Sequence, residues 1–251
     1  MATSELSGTT ALVTGASRGF GRAITVALHD AGADVVALSR NAERLAELQS
    51  QLGGSLTTVA ADAADPVVAG QLIEQYRPRT LVLNAGAPPL MRPIQHQTWE
   101  SFSRNWEVDT RQAFHWIREA LILPLAPQST VIAMSSGAAL FGSPLSGGYA
   151  GAKAAIRFIT GYAAEESGRA GLGIRFVSVL PKLTPATDLG GAAAAAYARR
   201  AGVDFDEFVK GLGPALEPDH VGKHIADLAS STDHAPGAYL LTPGGLKEIS
   251  Q

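Results

Sequence analysis

The chain has 251 residues, 46% of them hydrophobic and 17% charged, with 27 glycines and 14 prolines, the profile of one globular domain rather than a disordered or fibrous chain. A formal net charge of -3 offers no basic footprint for nucleic acid or an anionic membrane surface, so both are excluded as expected partners. The absence of cysteine excludes disulfides, thiolate nucleophiles, cysteine-ligated zinc and iron–sulfur clusters.

Residues 1–8 lack the basic and apolar regions of a secretory signal, so the cytoplasm is the expected compartment. Short apolar, β-branched runs then recur at 10–13, 34–38, 56–60, 80–83, 131–134, 174–180 and 238–241. Helical periodicity fills the gaps at 20–31, 42–51, 67–76, 99–123, 149–167 and 218–230. Alternation of this kind predicts right-handed βαβ crossovers and an α/β fold. The expectation is a single Rossmann-type, doubly wound domain with a seven-stranded parallel sheet and helices on both faces.

The first strand runs into Thr14-Gly15-Ala16-Ser17-Arg18-Gly19-Phe20-Gly21 and then a helix. Gly15 suits the tight turn, Gly19 lets backbone approach a phosphate, and Gly21 allows close helix packing. Backbone of Ser17, Arg18 and Phe20 would share the pyrophosphate with the free N–H groups of the helix start. The second strand ends in Leu38-Ser39-Arg40, without the carboxylate that would hold the ribose hydroxyls of NAD. Arg40 and Arg18 can instead clamp a 2′-phosphate through charge-assisted hydrogen bonds, which points to NADP(H). After the third strand, Asp62 and Ala63 are placed to meet the adenine edge, with a turn or capping acid as the alternative role for Asp62.

The fifth strand closes on Ser135-Ser136, and Tyr149 and Lys153 follow four residues apart on one helix face. A phenol is a poor proton shuttle at neutral pH unless a cation favours its ionised form, and Lys153 supplies one. Ser136 would then orient a carbonyl or hydroxyl oxygen. From 182 to 213 the chain is rich in small residues, including five consecutive alanines from Ala192 to Ala196. The expectation there is a mobile substrate lid, with an ordinary surface helix pair as the alternative. Tyr197, Phe205 and Phe208 in that stretch serve either packing or a pocket.

In this order the motifs resemble the short-chain dehydrogenase/reductase family. They comprise the glycine turn, Asp62, Asn84-Ala85-Gly86, Ser136, Tyr149, Lys153 and the closing Thr242-Pro243-Gly244-Gly245. The resemblance spans about residues 9–245 and implies hydride transfer between a nicotinamide dinucleotide and a carbonyl/alcohol pair. It implies Tyr149 as acid/base, Ser136 as the ligand of the substrate oxygen, and Lys153 as partner of Tyr149 and of the nicotinamide ribose. Asn84, Ala85 and Gly86 would floor the cofactor, with Pro181 and Thr184 nearby. Two positions depart from the family. Asp109 stands where the family carries an active-site Asn, and its charge would bias Lys153 and oppose a tyrosinate. Lys182 follows Pro181 where the family usually has glycine. The family commonly pairs its long helix and its Tyr–Lys helix across a two-fold axis, which implies a homodimer or homotetramer.

The resulting expectation is NADPH-dependent reduction of a carbonyl, reversible as alcohol oxidation, on a small or medium, weakly charged organic substrate. Arg92 and Lys182 are candidates for recognising an acid group. The alternative is a dinucleotide-binding sensor or subunit with little turnover, motivated by Asp109 and Lys182; a cofactor-free elimination or dehalogenation fits the glycine turn poorly. His220 and His224, one turn apart beside Asp219, have no third metal ligand and are expected to pack, not to bind metal. Trp99, Trp106 and Trp116 are expected in helix packing or a subunit interface.

Overall fold

The computed structural model describes residues 6–231 and 234–249. Eight strands form one sheet in the order β3-β2-β1-β4-β5-β6-β7-β8. They are β1 (Thr10–Thr14), β2 (Asp34–Ser39), β3 (Leu56–Ala60), β4 (Thr80–Leu83), β5 (Thr130–Met134), β6 (Arg175–Pro181), β7 (Gly237–Thr242) and β8 (Gly245–Ile249). Strands β1 to β7 pair in parallel, as expected of βαβ crossovers; β8 pairs antiparallel with β7 through the hairpin register Thr242↔Gly245 to Ala238↔Ile249. This eighth strand corrects the expected count of seven. Its residues are half-buried or exposed throughout, so it carries neither the continuous apolar run nor the clean alternation by which the other strands announce themselves.

Successive residues of each strand point to opposite faces, and each face has its own core. Ala11 and Val13 of β1 join Ile24 and Leu28 of α1 (Gly19–Asp30) and Val221 and Ile225 of α10 (Pro218–Ser230). Leu12 faces the other way, with Ile73 of α3 (Pro66–Tyr76), Trp116 of α5 (Arg111–Ile122) and Ile156 of α7 (Gly147–Arg169). Helix α2 (Ala42–Leu52) packs by Leu45 and Leu48 on the first face.

The segment expected as one long helix is three pieces. Helix α4 (Trp99–Asn105) passes into a π-helical turn over Trp106–Thr110 and then into α5. Single π turns inside helices often mark functional positions, and this one carries Asp109. Against it lies α7, whose approach to α4 depends on Gly148: a Cβ there would stand 2.0 Å from the Phe102 carbonyl oxygen. Between β5 and α7 sits a short helix, α6 (Ala138–Phe141), and between β6 and α10 the helix pair α8 (Asp188–Ala201) and α9 (Phe205–Leu212). No described helix is long and apolar enough to cross a membrane.

Candidate active site

Strand order reverses between β1 and β4, and in open α/β sheets a crevice opens at the carboxyl ends beside such a reversal. A cavity of about 1210 Å³ lies there, reaching from β2 across β1 and β4 to β5, β6 and helix α8. At one end it is lined by Gly15, Ser17, Arg18, Gly19, Phe20 and Arg40. Ser39, Asp62, Ala63, Asn84, Ala85 and Gly86 continue the same wall, and the other end holds Asp109, Ser136, Tyr149, Lys153, Pro181 and Thr184. Of the catalytic and cofactor residues expected from sequence, Gly21 alone is not on the wall. It serves packing: a Cβ there would meet the Gly15 carbonyl oxygen at 2.1 Å and Asn84 Nδ2 at 2.4 Å.

The nucleotide half is open where a phosphate needs space. Gly19 has φ +53, and a Cβ on it would meet only Thr187 Cγ2, at 3.9 Å. Helix α1 begins there without a side-chain cap, which leaves its first N–H groups for a ligand. Arg40 makes no ion pair among the described residues, whereas Arg18 reaches Asp188 at the start of α8, 3.6 Å away. Ser39 Oγ donates to Ser17 Oγ at 2.8 Å, joining β2 to the glycine turn. Asp62 accepts the N–H of Ala64 at 2.9 Å and thus also fills the turn role weighed for it.

The floor is tied down by a buried hub that the sequence did not single out. Thr14 Oγ1 donates to Gln112 Oε1 at 3.0 Å and accepts the N–H groups of Asn84 and Ala85 at 2.9 and 3.1 Å. Gln112 Nε2 in turn donates to the Ala85 carbonyl at 3.0 Å. Asn84 Nδ2 donates to the carbonyls of Thr14 and Gly15, each at 3.2 Å. The signal available in the sequence was Gln112 itself, a polar residue three positions after Asp109 on an otherwise apolar face.

At the chemical end α7 presents Tyr149 and Lys153 together, with the Lys153 ammonium 5.6 Å from the Tyr149 ring centroid. Lys153 Nζ donates to the Met134 carbonyl at 3.0 Å, and Ser135 Oγ donates to the Lys153 carbonyl at 2.7 Å, so the end of β5 holds the lysine. Asp109 Oδ2 lies 3.2 Å from Lys153 Nζ, both groups buried. The contact is close but poorly aligned for a hydrogen bond, so it acts as an ion pair. Asp109 Oδ1 accepts the N–H of Ala87 at 2.8 Å and is approached by Asn105 Nδ2 at 3.4 Å. Burial opposes charge on Lys153, but the carboxylate of Asp109, helped by attraction to Tyr149, outweighs it and holds the ammonium above the ordinary lysine range. The extra carboxylate therefore fixes Lys153 as a cation while neutralising much of the field that cation projects.

Beyond β6, Thr184 Oγ1 accepts the N–H of Ala186 at 3.3 Å, and Thr187 caps α8 by accepting the N–H of Gly190 at 3.1 Å. Lys182 Nζ donates to the Leu212 carbonyl at 3.0 Å, fastening the end of α9. Arg92 is not on the cavity wall. His220 and His224 face each other with ring centroids 5.5 Å apart, and no cluster able to hold a metal occurs among the described residues. The three tryptophans part company: Trp116 is buried with Nε1 donating to the Ala63 carbonyl at 2.8 Å, whereas Trp99 and Trp106 are exposed.

Known proteins resemble this chain in sequence and fold. The sequence matches the short chain dehydrogenase family over residues 9–198. It is 33% identical to L-xylulose reductase of Bos taurus over 184 residues, 72% of this chain and 75% of that one. Hydroxynaphthalene reductase-like protein Arp2 of Metarhizium majus (strain ARSEF 297) is 28% identical over 98% of this chain and 99% of its own. Among solved structures, a dehydrogenase/reductase from Sinorhizobium meliloti 1021 superposes with a TM-score of 0.78 at 28% identity, covering 95% of both chains. The chain belongs to the short-chain dehydrogenase/reductase family. It is accordingly an oxidoreductase of the carbonyl/alcohol interconversion, using a nicotinamide dinucleotide. The open backbone at Gly19, the uncapped start of α1 and a cavity continuous to Tyr149 fit such a cofactor.

Proposed function

We propose that this protein is an NADPH-dependent carbonyl reductase, reversible as an alcohol dehydrogenase, with Tyr149 as the acid/base. The observation that carries the reading is one cavity that joins Arg18, Gly19 and Arg40 to Ser136, Tyr149 and Lys153. When bound, the cofactor would supply the redox chemistry, NADPH giving a hydride to a carbonyl carbon and NADP+ taking one from the alcohol in the reverse direction. Ser136 donates a hydrogen bond to the carbonyl oxygen and aligns it. Tyr149 gives the phenolic proton to that oxygen as negative charge develops there, so hydride and proton together make the alcohol. Lys153 positions the phenol and the cofactor ribose, and Asp109 positions Lys153.

Two further parts belong to the same proposal. Helices α8 and α9 over 182–213 form a lid on the substrate end, and the chain works as a homo-oligomer in the cytoplasm. The test is a titration with NADPH and NADH followed by absorbance over a panel of ketones. Substrate-dependent oxidation of NADPH is expected, and Tyr149→Phe is expected to cut turnover by at least about a hundredfold, the scale of general acid catalysis, with NADPH binding retained. Full activity in that variant would remove Tyr149 as the proton donor. A second reading, a dinucleotide sensor with little turnover, is favoured by the Asp109–Lys153 ion pair. Tight NADPH binding with no oxidation across the panel would select it.

A further inference from the structure

We propose that three hydroxyl groups at the substrate end, on Ser143, Ser146 and Tyr197, form a subsite for a substrate hydroxyl beside the reacting carbonyl. The preferred substrate is then an uncharged hydroxyketone, or the corresponding diol in the oxidative direction; this rests on the carbonyl-reductase reading above. All three residues line the cavity. Ser143 Oγ is hydrogen-bonded to Ser146 Oγ at 2.5 Å and to the Tyr197 hydroxyl. Three hydroxyls bring three donor protons and two contacts use two of them, so one donor and several lone pairs remain for a ligand.

Their position sets what that ligand is. Ser146 is the N-cap of α7, and Tyr149, three residues on, is the third residue of that helix; both line the cavity. The short stretch of chain and the shared cavity wall keep Ser146 near the proposed proton donor, an arrangement that suits a substrate hydroxyl close to the carbonyl. Tyr197 comes from the lid, where its ring stacks on Phe208 of α9 with centroids 6.4 Å apart and planes 9° apart. Ala138, Phe141, Leu183, Leu189 and Ala193 add apolar surface to the same cavity wall. Lys182, on the same wall, donates to the Leu212 carbonyl. A cluster of neutral hydroxyls recognises a hydroxyl of the ligand by mutual donation and acceptance.

The experiment measures kcat/KM at saturating NADPH for paired ketones, 2-butanone against 1-hydroxy-2-butanone and cyclohexanone against 2-hydroxycyclohexanone. The hydroxylated member of each pair is expected to be preferred by about tenfold or more, the scale on which a site built to hydrogen-bond a hydroxyl rejects an analogue without one. In Tyr197→Phe and Ser143→Ala, each checked for an unchanged melting temperature and NADPH affinity, that ratio is expected to fall toward one. Wild-type enzyme without the preference, or variants that slow both members equally and keep the ratio, would overturn the subsite and leave a latch between lid and catalytic loop. Parent ketones turned over without preference refute only the subsite; no oxidation of either class refutes the reductase reading and the subsite with it.

Discussion

Arg40 and Asp109 are the side chains at which this chain declares its own cofactor and chemistry. Arg40 follows β2, where a ribose-binding acid would stand, and makes no ion pair among the described residues, so its guanidinium is available to a 2′-phosphate. A charge-assisted hydrogen bond is worth about 1.5–3 kcal/mol. Arg40→Ala is thus expected to weaken NADPH about 10–100-fold and NADH little; equal weakening in parallel titrations would remove the clamp. Asp109 acts on Lys153. With its folded value raised, Lys153 adds stability that is complete below the unfolded lysine range near 10.4 and is lost only as pH rises through the still higher folded value, so the ion pair persists throughout neutral assays. Asp109→Ala leaves a buried cation unpaired and strips the Ala87 N–H of its acceptor; a loss of about 3–5 kcal/mol is expected in denaturant titrations. Asp109→Asn keeps the shape and removes the charge. Without that carboxylate, burial is left to lower the proton affinity of Lys153, so the alkaline limb of the reduction profile is expected to move to lower pH. An unmoved limb would show that Asp109 serves structure alone.

Elements differ in how openly the sequence announces them. Strands β1, β2, β4 and β5 lie within a residue of the expected runs because each is a short apolar run buried on both faces; β3, only partly buried, is marked by its β-branched residues. Strand β8 was missed because Gly245, Leu246, Lys247, Glu248 and Ile249 show neither pattern and gain their place only by pairing with β7. The π turn at Trp106–Thr110 was also invisible, since helical periodicity runs through it and the widening is decided by contacts from elsewhere, among them the Ala87 N–H on Asp109. The glycine turn, Ser136, Tyr149 and Lys153 could be read because their chemistry is local, whereas the Thr14–Gln112 hub and the Ser143–Tyr197 bond join positions far apart in the chain. Helix α10 supports a prediction on its own scale. Burial first, and then His220, lower the proton affinity of His224; Lys223 and His234 add to this and Asp227 opposes it. A lowered folded value means the unfolded chain binds the proton first. Stability is therefore present above about pH 6.5 and declines as pH falls toward and through the folded value. Melting temperatures at pH 7.5 and 5.5 are expected to converge in His224→Gln relative to wild type; an unchanged difference would assign acid sensitivity to other groups.

The whole molecule converges its chemistry because the seven parallel strands of a doubly wound sheet all end on the same side, so motifs scattered from Gly15 to Thr184 share a wall. The same topology leaves one face unfinished. Trp106 in the π turn, Phe114 on α5, and Phe158 and Tyr162 on α7 are between 41% and 61% exposed. Phe158 and Tyr162 stack one turn apart with centroids 6.4 Å apart, and Trp106 lies against α7, where a Cβ on Gly151 would meet its Cζ2 at 3.1 Å. Clustered exposed aromatics on packed neighbouring helices mark an association surface. A two-fold axis across α5 and α7 would cover both copies with one self-complementary patch. Light scattering after size exclusion is expected to give a dimer, or a tetramer built from it. Phe158→Glu, which places a carboxylate in the apolar patch without touching the cavity wall, is expected to shift the population to monomer. Because burying an unpaired carboxylate in an apolar interface is strongly unfavourable, a variant that stays fully associated would move the interface to another face.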